Sequence, residues 1–194
     1  MCIRDSHVFH EIASPDIHVD IFIVEPTAER NYYTLVTSGM GAHRMNVPKE
    51  LAEYKLERAE IVVYLPADWN ISDHEEKNYW PLRWLKILAR LPLEEDSWLG
   101  WGHSVPNGKP FAENTQLSSV LLINPENVEE GAAVCQLPNG EEVNFYQMIP
   151  LYEEEVNFKI QNGAETLLGK MGEISAVVDI HRLNVCEGFG RPKE

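Results

Sequence analysis

Histidine, glutamate and serine recur in this chain at spacings close to those used in catalysis, and each constellation misses by a definable amount. His7, His10 and Glu11 invite a zinc-hydrolase reading, but that motif needs two histidines four residues apart with the glutamate next to the first. The order here is His-Val-Phe-His-Glu, and the plainer reading is two surface histidines near a mobile chain end. Gly102-His103-Ser104-Val105-Pro106 approaches the nucleophile elbow of serine hydrolases, yet Pro106 replaces the second glycine and no helix is expected to follow. His103, adjacent in sequence, is also poorly placed to act as base for Ser104. Gly39-Met40-Gly41 follows a strand-like run as a phosphate loop would, without a third glycine or a Lys-Ser/Thr pair, so a turn is expected.

The acidic residues admit two readings. Glu94, Glu95 and Asp96, with Glu126, Glu129, Glu130, Glu153, Glu154 and Glu155, could include paired carboxylates for acid–base work or a cation site. Acid-rich turns are usually solvated, and the sharper alternative is an acidic contact face rather than a catalytic pair. Trp98, Trp101 and His103 follow directly after the first cluster. Aromatic anchors dominate interface energetics, so Trp98, Trp101, His103, Glu94, Glu95 and Asp96 are singled out for partner binding. The competing reading packs both tryptophans behind a helix. No catalytic, metal-ligating or cofactor-binding residue is assigned, and no cofactor is expected.

Charge narrows the partners. Sixteen basic against thirty-one acidic residues give a net charge of -15, which repels nucleic acid and anionic membranes and attracts basic partners. With 44% hydrophobic and 24% charged residues in 194, the chain has the composition of one ordinary globular domain. No apolar run approaches the roughly 20 residues a membrane helix needs, and MCIRDSHVFHEIASPD contains no apolar secretion signal; a cytoplasmic protein is expected. Cys2, Cys135 and Cys186, odd in number and far apart, suit reduced thiols.

The elements that must position these residues are legible from periodicity. IHVDIFIV (17–24) alternates as a strand, YYTLVTS (32–38) is rich in aromatic and β-branched residues, and AEIVVYL (59–65) reads as an interior strand closed by Pro66. Residues 70–78 read as a polar loop. Pro81 in the first turn and Pro92 at the end bracket an expected helix whose core face is Trp84, Leu85, Leu88 and Leu91. Residues 117–123 read as a strand, and 132–137 and 142–148 form a hairpin about Asn139-Gly140. Glu153-Glu154-Glu155 open a helix interrupted at Gly163, followed by a short helix over 164–170 and a last strand over 176–180. The expected organisation is a disordered leader over 1–7, one α+β domain over 8–185 with a mixed, largely antiparallel sheet packed by helices, and a loose tail over 186–194.

The order of these features resembles the suppressor of fused-like domain. The residues that carry the likeness are the WP and LAR of the central helix, the Trp-Gly-His-Ser segment, LLINPEN, EEVNFYQMIPLYEEEV, NGAETLLGKM and VVDIHRL, spread from about Val8 to Leu183. The resemblance implies a single mixed α/β domain that binds another protein, with no enzymatic activity. In animals such domains hold a short peptide as an added strand; stand-alone bacterial members are regarded as antidotes to toxins. Two positions that serve the peptide in animals fall here on Leu91 and Gly102, which fits a stand-alone bacterial type better. The leading expectation is therefore an immunity protein that neutralises a basic, nuclease-like toxin. The alternative is a regulatory or scaffold protein binding a peptide at a sheet edge, and a hydrolase using Ser104 is the third.

Overall fold

The computed structural model describes residues 6–9, 17–126, 128–129, 131–172 and 176–190. Its strands are β1 (Ser6–Phe9), β2 (Asp20–Val24), β3 (Tyr32–Ser38), β4 (Ala59–Pro66), β5 (Ser104–Pro106), β6 (Ser119–Ile123), β7 (Val134–Gln136) and β8 (Glu142–Leu151). The α-helices are α1 (Glu76–Glu94), α2 (Glu153–Asn162) and α3 (Ala164–Met171), with short 3-10 turns at Met40–Ala42 and Lys49–Tyr54. The sheet runs β1-β2-β3-β4-β8-β6-β5, and β7 also pairs with β8. Every pairing is antiparallel except β4 with β8. The fold is α+β, with a mixed and largely antiparallel sheet.

β4 lies in the sheet interior because both of its faces are apolar and both are covered. Ile61, Val63 and Leu65 join α1 in the main core, while Val62 and Tyr64 meet Ala176 on the other side. The same alternation runs through β6 and β8: Val120, Leu122 and Met148 face the α1 side, while Leu121, Ile123, Ile149 and Leu151 pack with Val156, Leu167 and Met171 of α2 and α3. Helices therefore cover both faces of the sheet.

β8 parts from β4 after Gln147 and continues alone beside β6. Pro150 is tolerated in this second half because its carbonyl accepts Arg182 Nη2 at 2.8 Å, so its backbone polar groups point to the side that β4 has vacated. The Asn139-Gly140 hairpin is present, with Gly140 at φ +83° and its N–H donated to the Leu137 carbonyl. Gly163, at φ +89°, separates α2 from α3 as its position suggested.

Several boundaries differ from the sequence reading. α1 begins at Glu76, so residues 76–78 are helix rather than loop and both prolines are interior. Pro81 removes the N–H that would reach the Lys77 carbonyl, and Asn114 Nδ2 donates to that oxygen instead. Residues 176–180 are not a regular strand; their ladder pairing with the sheet is one isolated parallel bridge, Val177 to Tyr64. Ser6 and His7, placed in the leader by composition, are the first residues of β1. In the tail, Cys186 is buried and Phe189 packs edge-on against Phe158. Cys135 and Cys186 are free thiols, and Cys2 lies outside the described residues.

Candidate functional site

The segment from Glu94 to Pro106 leaves the end of α1 and becomes the outermost strand, β5. Its path is fixed by backbone bonds on both sides. Ser97 N–H returns to the Pro92 carbonyl, Asn46 N–H reaches the Ser97 carbonyl, and Gly102 N–H donates to Leu122 while Leu122 N–H donates to His103. Asp96 adopts φ +46°, the left-handed conformation that ends helices and that Asp tolerates better than most residues.

On this frame Glu94, Glu95 and Asp96 are all exposed, and none forms an ion pair among the described residues. Trp101 is 41% exposed, a large apolar ring left in water. Trp98 is half-buried and folds back over Gly100, where a Cβ would lie 2.6 Å from its ring. His103 packs on Trp98 with ring centroids 4.3 Å apart in an edge-to-face arrangement. The three residues singled out thus sit in different environments: Trp101 is exposed, while Trp98 and His103 are part-buried against each other.

Lys159 of α2 was missed from the sequence, where it reads as one surface charge among many. Its Nζ donates to Ser104 Oγ at 3.2 Å, and burial lowers its pKa. Burial also lowers the pKa of His103, and the nearby Lys159 charge pushes in the same direction. Ser104 is therefore paired with Lys159, and His103 with Trp98, so the two members of the serine–histidine pair considered above are engaged elsewhere. Pro106 leaves the outer edge of β5 without one N–H, which blunts it as a template for strand addition.

The other acidic residues disperse into different environments. Glu153 is exposed, but Glu154 accepts Asn184 Nδ2 at 2.9 Å, and Glu155 is fully buried against Arg182. The solvated-turn reading fails for Glu155, whose carboxylate also accepts the Tyr152 N–H in a capping box. Glu126 presents its backbone N–H to Gln147 Oε1, Glu129 is exposed, and Glu130 lies outside the described residues. Gly39 and Gly41 both donate their N–H groups to Glu60 Oε1 at 2.9 Å, so the loop that resembled a phosphate cradle holds an internal carboxylate. His7 pairs with Glu25 at 3.0 Å, whereas His10 and Glu11 are outside the described residues. Among the described residues no group of three or more His, Cys, Asp or Glu side chains is arranged to hold a metal ion. None of the described helices is long and apolar enough to cross a membrane.

Mixed sheet, central helix and flanking helix pair together define a small α+β architecture, and comparison with known proteins places it. Residues 15–183 match the family model described as Suppressor of fused protein (SUFU). The chain belongs to the suppressor of fused family. It is 28% identical over 167 residues to an uncharacterized protein of Ureaplasma parvum serovar 3, covering 86% of this chain and 78% of that one. Among solved structures it is similar to a suppressor of fused homolog from Neisseria gonorrhoeae (TM-score 0.68, 19% identity, covering 93% of this chain and 87% of that one). The fold also matches the Sufu-Fu complex (TM-score 0.61, 14% identity, 87% and 77% covered) and Drosophila Suppressor of Fused (TM-score 0.60, 15% identity). The match covers 87% of this chain and 42% of the Drosophila protein.

Proposed function

We propose that this chain is a non-enzymatic binding module that captures a basic protein partner through the face around Trp101, acting in its host as an immunity protein that masks a nuclease-type toxin. The observation that carries the reading is the exposed Trp101 indole a few residues beyond Glu94, Glu95 and Asp96, whose exposed carboxylates form no ion pair among the described residues, on a segment locked to the sheet. An immobilised aromatic anchor lowers the entropy lost on docking, and surrounding carboxylates steer a basic surface toward it. The net charge of -15 extends that steering over the whole molecule. A structure of the same fold is that of a Sufu-Fu complex, which supports a protein as the partner. A peptide added along β5 is the weaker geometry, because Pro106 interrupts the edge.

The test is retention of host proteins on the immobilised chain at low and raised salt, with Trp101→Ala in parallel. Recovery of a basic, nuclease-like protein that salt displaces, and that Trp101→Ala binds at least about tenfold more weakly, is the expected result. Retention indifferent to both salt and Trp101→Ala overturns the reading.

A further inference from the structure

A cavity of about 350 Å³ opens between the β4–α1 connection and the segment after Ala176, and its walls include Asp68, Trp69, Asn70, Asn78, Asp179 and His181. Among the described residues no lysine or arginine lines it. Asp68 and Asp179 are exposed, and among the described residues neither is ion-paired with a lysine or arginine.

Both walls are held by the fold. Trp69 donates its indole N–H to the Asn78 carbonyl at 2.9 Å, and its backbone N–H reaches the Pro66 carbonyl at 3.0 Å. Its ring meets Trp80 edge-on, with centroids 6.2 Å apart. Across the cavity, Val178 N–H donates to the Tyr64 carbonyl at 2.9 Å and Thr115 Oγ1 to the Ile180 carbonyl at 3.1 Å. Asp179 accepts the His181 N–H on Oδ1 at 2.8 Å, which fixes its side chain.

An indole wall flanked by carboxylates suits a flat cation. The ring face attracts positive charge, and a guanidinium combines stacking on the ring with in-plane donors for carboxylates, which an ammonium cannot do. We infer that this cavity receives an arginine side chain of a basic protein partner, held against Trp69 between Asp68 and Asp179. The inference rests on the reading of the chain as a binder of basic proteins. It places a second contact at the opposite end of α1 from Glu94–Asp96, roughly 24 Å away at 1.5 Å of rise per residue.

The experiment is an NMR titration of the intact, nitrogen-labelled protein with N-acetyl-arginine N-methylamide, following the Trp69 indole N–H, which is assigned by its loss in Trp69→Phe. Saturable shifts are expected. They should weaken at least about tenfold with the citrulline analogue, which keeps the shape and loses the charge, and in the Asp68→Asn/Asp179→Asn variant. Glu50→Gln/Glu53→Gln removes two exposed charges from the turn at Lys49–Tyr54 and should leave the titration unchanged. Equal response to arginine and citrulline, or a titration insensitive to the aspartate pair, overturns the inference. If the pocket variant still retains the basic partner fully, the arginine contact alone is lost; if arginine binds but no basic partner is retained, the proposed function fails and the pocket stands.

Discussion

Arg182 closes over Glu155 as a buried ion pair: Nη1 donates to Oε1 at 2.6 Å, with side chains 9% and 0% exposed. The same guanidinium reaches the Pro150 carbonyl, and the Tyr152 hydroxyl donates to the Arg182 carbonyl at 2.6 Å. One residue thus fastens the segment after Ala176 to both β8 and the start of α2. Arg182→Ala leaves a charge stranded in an apolar site and should destabilise the protein by about 3–5 kcal/mol in urea unfolding. An apolar double replacement, Glu155→Leu with Arg182→Met, should recover only part of that loss, because it removes the stranded charge but leaves the Pro150 carbonyl and the Tyr152 and Val185 N–H groups without these partners. Equal losses from the single and double changes would contradict this account.

Glu60 is the second buried carboxylate with a structural role. It receives the Gly39 and Gly41 amides on one oxygen and the Thr37 hydroxyl on the other. Thr37 Oγ1 already accepts the Ile61 N–H, so the amide of Glu60→Gln would force a donor against the hydroxyl proton. A loss of about 1–3 kcal/mol is expected, readable as a fall in melting temperature. Gly39→Ala should cost more, since φ is +126° there and a Cβ would stand 2.1 Å from the His18 carbonyl oxygen. Phosphate should stabilise neither the wild type nor Glu60→Gln; stabilisation of the wild type by phosphate would restore the anion-cradle reading of this loop.

The elements that were legible carry a strong local signal, such as period-two alternation in β2, the Asn-Gly turn between β7 and β8, and Gly163 between α2 and α3, whereas β1 and β5, of four and three residues, are too short to show a period and were not read as strands. The site was legible only in part. Trp101 and the acids after α1 are neighbours in sequence and each is exposed, but the Lys159–Ser104 and Trp69–Asp179 juxtapositions join residues far apart in the chain, and periodicity carries no such information. The helix boundaries were misplaced for a local reason. Proline rules favour the first turn, and the Asn114 side chain that relieves the interior Pro81 comes from another part of the chain. The charge of the Glu153–Glu155 run misled in the same way, because burial of Glu155 depends on Arg182, twenty-seven positions later.

The pairing of Trp98 and His103 makes their contact sensitive to pH. Burial lowers the folded-state pKa of His103 below its ordinary 6.5, with the Lys159 charge adding to the shift. The folded state therefore favours neutral imidazole, and its stabilising contribution is complete above the ordinary value. It is lost as pH falls from there through the lower folded-state pKa, because the unfolded chain binds the proton first. Imidazolium quenches an adjacent indole, so a part of the tryptophan emission should fall with an apparent midpoint below 6.5. Trp98→Phe should abolish that component, and a midpoint at or above 6.5 would rule out the buried environment.

Gln147 stands at the point where β8 departs from β4, and its fully buried side chain meets a backbone demand on each side. Oε1 accepts the Glu126 N–H at 2.9 Å, and Nε2 donates to the Ala176 carbonyl at 2.8 Å. Sheet pairing can satisfy neither group there, since residues 124–126 lie beyond the end of β6 and Val177 bridges to Tyr64 of β4 rather than to β8. Gln147→Leu keeps much of the volume and strands both backbone groups, at an expected loss of about 2–4 kcal/mol. Because the Val177 bridge and the Val178 N–H to Tyr64 bond depend on that anchor, amide exchange at Val178 should accelerate more than exchange within α1. Gln147→Glu, which retains the acceptor for Glu126 and loses the donor to Ala176, should release Val178 as well; protection of Val178 unchanged in both variants would show that the segment is held without Gln147, by Arg182 and the Thr115 bond to Ile180.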